Sequence, residues 1–348
     1  MEQLYMPEDM LHQLDCPAFI VRNNCISAVN GEAKKLLIEP GIPIEEIFLS
    51  GYEEFKSLNA GCLMVTLKLN DVVYQCSVHI YKDYQLFKPK TVPEPTELKA
   101  LALAAELLRI PFSDLNIILE RTKGIPDEQW AKLEHNLSKI QRLLGNMSDS
   151  AAVDSYKPRM IICNLSDVLN EAVEHAIALL QGNSVTFSYH PCELQITGKG
   201  NPQLLKRAVY NLISNAVKFA TEGSSIDISL KKVDNRLRFS VTNSASTIPE
   251  DVFPTVFSRY SRIAGIEDPR DGLGLGISLT YGVARAHGGT LLMETPDHNT
   301  TRVTMILSVI KDGSTKLRSP ILLQDLYGGQ NQALIELSDI LTYEAYLK

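Results

Sequence analysis

Two stretches of the chain carry apolar residues at alternating spacings of three and four, and such seams cannot stay in water. The first runs through Leu98, Leu101, Ala105, Leu108, Phe112, Leu115 and Leu119; the second through Trp130, Leu133, Leu137, Ile140, Leu144 and Met147. This spacing puts each set on one stripe of a helix. Between them "TKGIPDE" supplies the glycine and proline that end one helix before the next begins. The pattern predicts a helical hairpin over residues 91–155. One hairpin alone buries two seams poorly, so two are expected to pair into a dimeric four-helix bundle, making the protein a homodimer. Pro111 stands inside the first helix. A proline there removes a backbone bond and clashes with the preceding turn, at about 3 kcal/mol, so it marks a bend.

The remaining segments predict an α+β multidomain protein. Residues 1–90 read as strand, Asn-Asn turn and strand ("AFIVRNNCISAVN"), a short helix ("EAKKLLI"), then two or three strands ("CLMVTLKLNDVVYQCSVHIYKDYQLF") turning at Asn70-Asp71. "KPKTVPEPTE" reads as a proline-bearing linker, with Thr96 as N-cap of the first long helix. Residues 156–310 alternate helical patterns ("DVLNEAVEHAIALLQ", "NPQLLKRAVYNLISNAVKFA") with strands ("SVTFSYH", "SIDISLKKV", "LRFSVTN", "TRVTMILSV"). Helices on one face of a mixed sheet, an α/β sandwich, follow from that order. Residues 311–348 form an amphipathic tail with no assigned role.

Composition excludes several function classes. The 348 residues are 45% hydrophobic and 22% charged, the balance of a globular protein with two or three cores. The net charge of -7 and the lack of a dense Lys/Arg run argue against a nucleic-acid partner. The N-terminal stretch lacks a secretory pattern. No run of about 18 apolar residues suggests a membrane span. The six cysteines have no CxxC spacing and fit reduced thiols, and the expected location is cytoplasmic.

Two motifs carry chemistry. In "NLISNAVKFA", Asn211, Asn215 and Lys218 share one helical face, opposite Leu205, Val209, Leu212 and Ala216. Amide oxygens suit Mg²⁺ and an ammonium suits a phosphate; the same face also reads as an ordinary solvated one. In "DGLGLGISLTYGVARAHGG", Gly272, Gly274 and Gly276 precede a helix from about Ile277 to Gly288-Gly289. Glycines let backbone N–H groups approach phosphate oxygens, and a helix N-terminus adds free donors; a flexible loop is the plainer alternative. The preceding "SRYSRIAGIEDPRDG" could fold over a ligand as a lid.

Together and in this order, these motifs resemble the catalytic domain of sensor histidine kinases, within the ATPase group (GHKL) that includes gyrase and the Hsp90 chaperones. "NLISNAVKFA" is similar to that family's asparagine box, "VFSRYSR" to its phenylalanine box, and "GLGLGISLTYGVARAHGG" to its second glycine box. The resemblance implies ATP and Mg²⁺ as cofactors. Asn215 would bind Mg²⁺ with Asn211 assisting, Lys218 would contact phosphate, and Phe219 would lie against adenine. Gly272, Gly274 and Gly276 would form the phosphate-side loop, Phe257 and Tyr260 are the box aromatics, and Arg259, Arg262 and Arg270 are lid candidates. The first glycine box departs from the family pattern: "NSASTIP" puts Asn243, Ala245 and Thr247 in place of an aspartate and two glycines. Asn243 can still accept from the adenine amino group, without charge assistance. The N-terminal segment resembles a PAS-type sensor, including Asn30 where the second strand hands over to a helix. The hairpin resembles the dimerisation and phosphoacceptor domain.

The acceptor itself is missing. In "AELLRIP", Leu108, Arg109 and Pro111 fit the acceptor helix, but Glu106 falls at the histidine position and Leu107 at the adjacent acid. None of the seven histidines lies between residues 80 and 134, and His135 reads as a surface residue near the loop. An imidazole is a neutral nucleophile near pH 7, whereas Glu106 is an anion approaching a negative γ-phosphate. Three functions follow in order of preference. The first is an ATP-binding pseudokinase switching contacts with a response regulator or another kinase. The second is an active histidine kinase with an unorthodox or trans acceptor. The third is a dimeric scaffold that binds no nucleotide.

Overall fold

The computed structural model describes residues 7–70, 72–90, 95–152, 159–244, 274–297, 299–309 and 331–347. A tight hairpin opens the N-terminal unit after α1 (Pro7–His12). Strands β1 (Phe19–Arg22) and β2 (Cys25–Val29) are joined by Asn23 and Asn24 at φ 51 and 61, the left-handed pair that a two-residue hairpin needs. Asn30 then caps α2 (Gly31–Lys35). Its Oδ1 accepts from the N–H groups of Ala33 (2.9 Å) and Ala18 (3.1 Å), and its Nδ2 donates to the Cys16 carbonyl (2.8 Å). One buried amide thus ties a helix start to the entry of β1. Then follow α3 (Ile44–Ile47), β3 (Phe48–Ser50), α4 (Tyr52–Ser57), β4 (Gly61–Leu69), β5 (Val72–Ile80) and β6 (Gln85–Lys90). The expected strand-strand-helix-strand-strand order is present, with α3, β3 and α4 inserted. Phe19 and Phe87 stack at 5.0 Å in the core.

Two expectations about the linker need correction. Its first residues, Lys88 to Lys90, belong to β6 and pair with β5. Helix α5 (Pro95–Arg121) begins ahead of Thr96, so Thr96 lies in its first turn and is not its cap. Proline is favoured as a first helical residue because the N–H it lacks has no partner there. Helix α5 runs on through Pro111 and packs against α6 (Asp127–Ala152). Ala105, Ala131 and Leu144 are buried, whereas Leu103, Leu107, Leu108, Ile110, Leu115 and Ile118 of α5 are exposed.

The second unit comprises β7 (Ile161–Asn164), α7 (Leu165–Leu179), β8 (Thr186–His190), β9 (Thr197–Gly200), α8 (Pro202–Phe219), β10 (Ser225–Val233) and β11 (Arg236–Ser244). It continues with α9 (Gly276–Ala286), β12 (Thr290–Glu294) and β13 (Thr300–Ser308). Helices α7, α8 and α9 pack on the sheet and on each other, the expected α/β sandwich. Strand β12 was not foreseen: "TLLME" is short, and its three consecutive apolar residues show no alternation. Gly289 precedes it because a side chain there would strike the backbone of Ile306.

The two units share one eleven-stranded sheet, ordered β2-β1-β6-β5-β4-β12-β13-β11-β10-β8 with β3 beside β4. Leu63 pairs with Leu292 and Cys62 with Met293 across the seam. Thr290 Oγ1 donates to the Met64 carbonyl at 2.6 Å. Side chains cross over too: Cys62 and Met64 sit in the second unit's core, and Leu292 and Ile306 in the first unit's. Gly61 permits the approach; a Cβ there would lie 2.6 Å from the Met293 carbonyl oxygen.

The described part of the tail is integral to the fold. Helix α10 (Gln332–Glu336) and a 3-10 turn (Tyr343–Tyr346) pack on α6 and α8, burying Ala333, Leu337, Leu341 and Tyr346 in the second unit's core. Among the described residues, no helix is long and apolar enough to cross a membrane.

Candidate nucleotide site

Helix α8 is built to hold its polar face in place. Asn201 caps it by accepting from the Leu204 N–H at 3.1 Å, and Pro202 supplies the first turn. Leu205, Val209, Leu212, Ile213 and Ala216 are buried, as the pattern requires. The opposite face, with Asn211, Asn215 and Lys218, is not an ordinary solvated one: Asn211 is 2% exposed and Ser214 is fully buried.

Helix α9 begins directly over this face. A Cβ at Gly276 would lie 3.6 Å from Asn211 Oδ1 and 3.7 Å from Asn215 Nδ2, ordinary contact distances that set the helix end against both amides. Gly274 holds φ 65, a left-handed turn into the helix. Leu275, at the N-cap position of α9, has no side chain that could accept from the first-turn N–H groups. Two amides, an ammonium and an uncapped helix N-terminus thus converge, a donor set for phosphate oxygens with amide oxygens for a hard cation.

The base end is also assembled. The Thr221 N–H bonds the Ser244 carbonyl at 2.9 Å, tying the chain just after Phe219 to the end of β11. Asn243 on β11 is buried, and its Nδ2 has no hydrogen-bond partner among the described residues. A buried unpaired donor is costly, and a ligand acceptor such as a purine ring nitrogen would satisfy it. These residues fit a purine nucleotide. For Mg²⁺ the amide oxygens of Asn211 and Asn215 are the candidate ligands, and among the described residues no group of three His, Cys, Asp or Glu could hold a metal. Phe257, Arg259, Tyr260, Arg262, Arg270 and Gly272 lie outside the described residues, as do Ala245 and Thr247. A small cleft between α6, α8 and α9 shares Asn211 with the site but is otherwise lined mainly by apolar residues such as Leu204, Ala208 and Val283.

Other residues at the site carried no motif. Arg142 of α6 reaches Asn211 Oδ1 (3.3 Å) and Ser214 Oγ (3.4 Å) and is ion-paired with Asp339. Asp339 also pairs with Lys218 and accepts from Ser214 Oγ at 3.1 Å. Burial alone would raise the Asp339 carboxyl; the charges of Arg142 and Lys218 outweigh it and hold the group down at about 2. Beside this cluster Arg207 pairs with Asp149 and with Glu336 (2.9 Å), and donates to Asn146 Oδ1 at 2.7 Å. Ion pairs between an early helix and a distant tail leave no periodic signal in a sequence.

Glu106 and Leu107 are exposed on α5. His135 is not the surface residue expected. Its Nε2 lies 2.8 Å from the Ser338 carbonyl, which it must meet as a donor, and its ring is 5.2 Å from Tyr346. Burial lowers its pKa.

The family model of histidine kinase-, DNA gyrase B- and HSP90-like ATPases matches residues 200–310. The sensor histidine kinase CusS of Escherichia coli O6:H1 is 27% identical over 213 residues, covering 58% of this chain and 44% of that protein. The sensor-type histidine kinase PrrB of Mycobacterium bovis is 29% identical over 209 residues, 56% of this chain and 44% of its own. The heme sensor protein HssS of Staphylococcus haemolyticus is 38% identical over 109 residues, 31% of this chain and 23% of its own. The chain spans less than half the length of each of these relatives.

Proposed function

Because the chain belongs to the sensor histidine kinase family, whose ATPase domain it carries, we propose that it is an ATP-binding signalling protein of two-component type that lacks its own acceptor histidine. What carries this conclusion is the meeting of Asn211, Asn215 and the uncapped start of α9 on a chain whose acceptor position is Glu106. ATP, when bound with Mg²⁺, supplies a transferable phosphoryl group. The chain's own part is to hold it: Asn215 and Asn211 offer oxygens to the cation, α9 directs N–H groups at phosphates, Lys218 neutralises charge, and Phe219 and Asn243 receive the base.

The exposed apolar face of α5 supports a homodimer built on the hairpin. The capping amide of Asn30 and the strand order support a PAS-like input unit. The output then passes to a response regulator or another kinase, in the cytoplasm. Since Glu106 repels the γ-phosphate and His135 is held by the tail, the chain works as a pseudokinase.

A fluorescent ATP analogue titrated with Mg²⁺ is expected to bind saturably, and Asn215→Ala to weaken it at least about tenfold, the loss of one charge-assisted contact. Undiminished binding in that variant would remove the site assignment. Incubation with γ-labelled ATP is expected to leave no acid-labile label on the protein. The intact α8–α9 site keeps a second reading open, transfer to another protein's histidine, which label on an added acceptor hairpin from a relative would establish.

A further inference from the structure

We infer that the C-terminal segment 331–347 is an autoinhibitory latch on the nucleotide site, with the Asp339 carboxylate standing in for a nucleotide phosphate; this rests on the site reading proposed above. A phosphate oxygen at α8 needs cationic and hydroxyl donors. Asp339 already takes three of them: it is paired with Lys218 and Arg142 and accepts from Ser214 Oγ at 3.1 Å. It is ionised at all ordinary pH, because those two cations outweigh its burial.

The segment is fastened around that carboxylate. Glu336, 1% exposed, pairs with Arg207 at 2.9 Å. His135 bonds the Ser338 carbonyl, Gln332 donates to the Gln203 carbonyl at 2.9 Å, and Lys132 lies 4.7 Å over the Tyr343 ring. Leu337, Leu341 and Tyr346 are buried beneath. The partners come from both α6 and α8, so the same contacts clamp the hairpin against the ATPase unit.

Phosphates arriving beside an ionised, largely buried carboxylate meet like charge in a region of weak screening. They also compete for the same ammonium and guanidinium. Nucleotide and docked tail are therefore antagonists, and linkage makes the antagonism reciprocal: whatever undocks the tail tightens nucleotide binding, and nucleotide loosens the tail. Release would also free Arg142 of α6 and Lys218 of α8 from the carboxylate that bridges them.

The test uses the full chain and a fluorescent ATP analogue with Mg²⁺. Asp339→Asn keeps the shape and removes the charge; it is expected to tighten binding by about tenfold, within the range usual for coupled sites. Asp339→Glu keeps the charge and is expected to bind more weakly than Asp339→Asn. Equal or weaker binding by Asp339→Asn overturns the latch; a weakening would make Asp339 a cation ligand instead. No binding by wild type or variant overturns the site and the latch together, whereas Asn215-dependent binding without the Asp339 effect overturns the latch alone. Should the variant not fold, hydrogen exchange on the wild-type chain decides: saturating Mg²⁺ and analogue are expected to strip protection from amides 331–347, and retained protection overturns the latch.

Discussion

His287 closes α9 with its ring fixed in one protonation state. Its Nδ1 donates to the Val283 carbonyl at 2.7 Å, and its Nε2 accepts from the Asn201 N–H at 3.0 Å, so a second proton would set donor against donor. Burial lowers its pKa below 6.5, and burial together with Lys88 holds His79 down at about 3. A histidine lowered on folding is neutral in the native state, so the unfolded chain binds more protons under acid. The stability these residues confer is complete above pH 6.5 and is lost as pH falls below it. The thermal midpoint is expected to drop steadily from pH 7 to pH 4, with His287→Gln flattening part of the slope; a wild-type midpoint constant over that range would contradict the assignment. At this scale the sequence was informative where one residue type has one job. Asn23 and Asn24 form the turn expected of them, and Asn30 stands at the junction of β2 and α2. Asp339 was invisible because its meaning comes entirely from Arg142 and Lys218, far away along the chain.

Elements with a clear period were legible, and those without one were not. Helices α8 and α9 stand where the apolar spacing and the glycines put them, whereas β12 and the tail helix α10 were missed, one for want of alternation and the other for its five-residue length. Helix α5 shows both sides. Its seam was legible, yet Leu108 and Leu115 stay exposed in a single chain, beside Leu103, Leu107, Ile110 and Ile118. An apolar stripe of that length is expected to be covered by a second copy. Light scattering should find the wild-type chain dimeric and a Leu108→Glu, Leu115→Glu double variant shifted to monomer with its melting transition retained. A wild-type monomer at micromolar concentration would end the four-helix-bundle proposal.

The whole molecule is organised by the seam between β4 and β12. Gly61 lies there at φ 117 with no room for a Cβ, so Gly61→Val combines backbone strain with overpacking. It is expected to cost on the order of 3 kcal/mol. Calorimetry should show the wild-type units melting in one transition and the variant splitting into two; a single unshifted transition would mean that the seam contributes little. The division into segments expected from the sequence offered no hint of this join, because pairing between Leu63 and Leu292 leaves no local trace. Its consequence concerns modularity. A replacement for the N-terminal unit would have to furnish a strand at the β4 position, a glycine where Gly61 stands, and side chains shaped like Cys62 and Met64 to fill the second unit's core. The N-terminal unit and the second unit of this chain can be exchanged only as a matched pair.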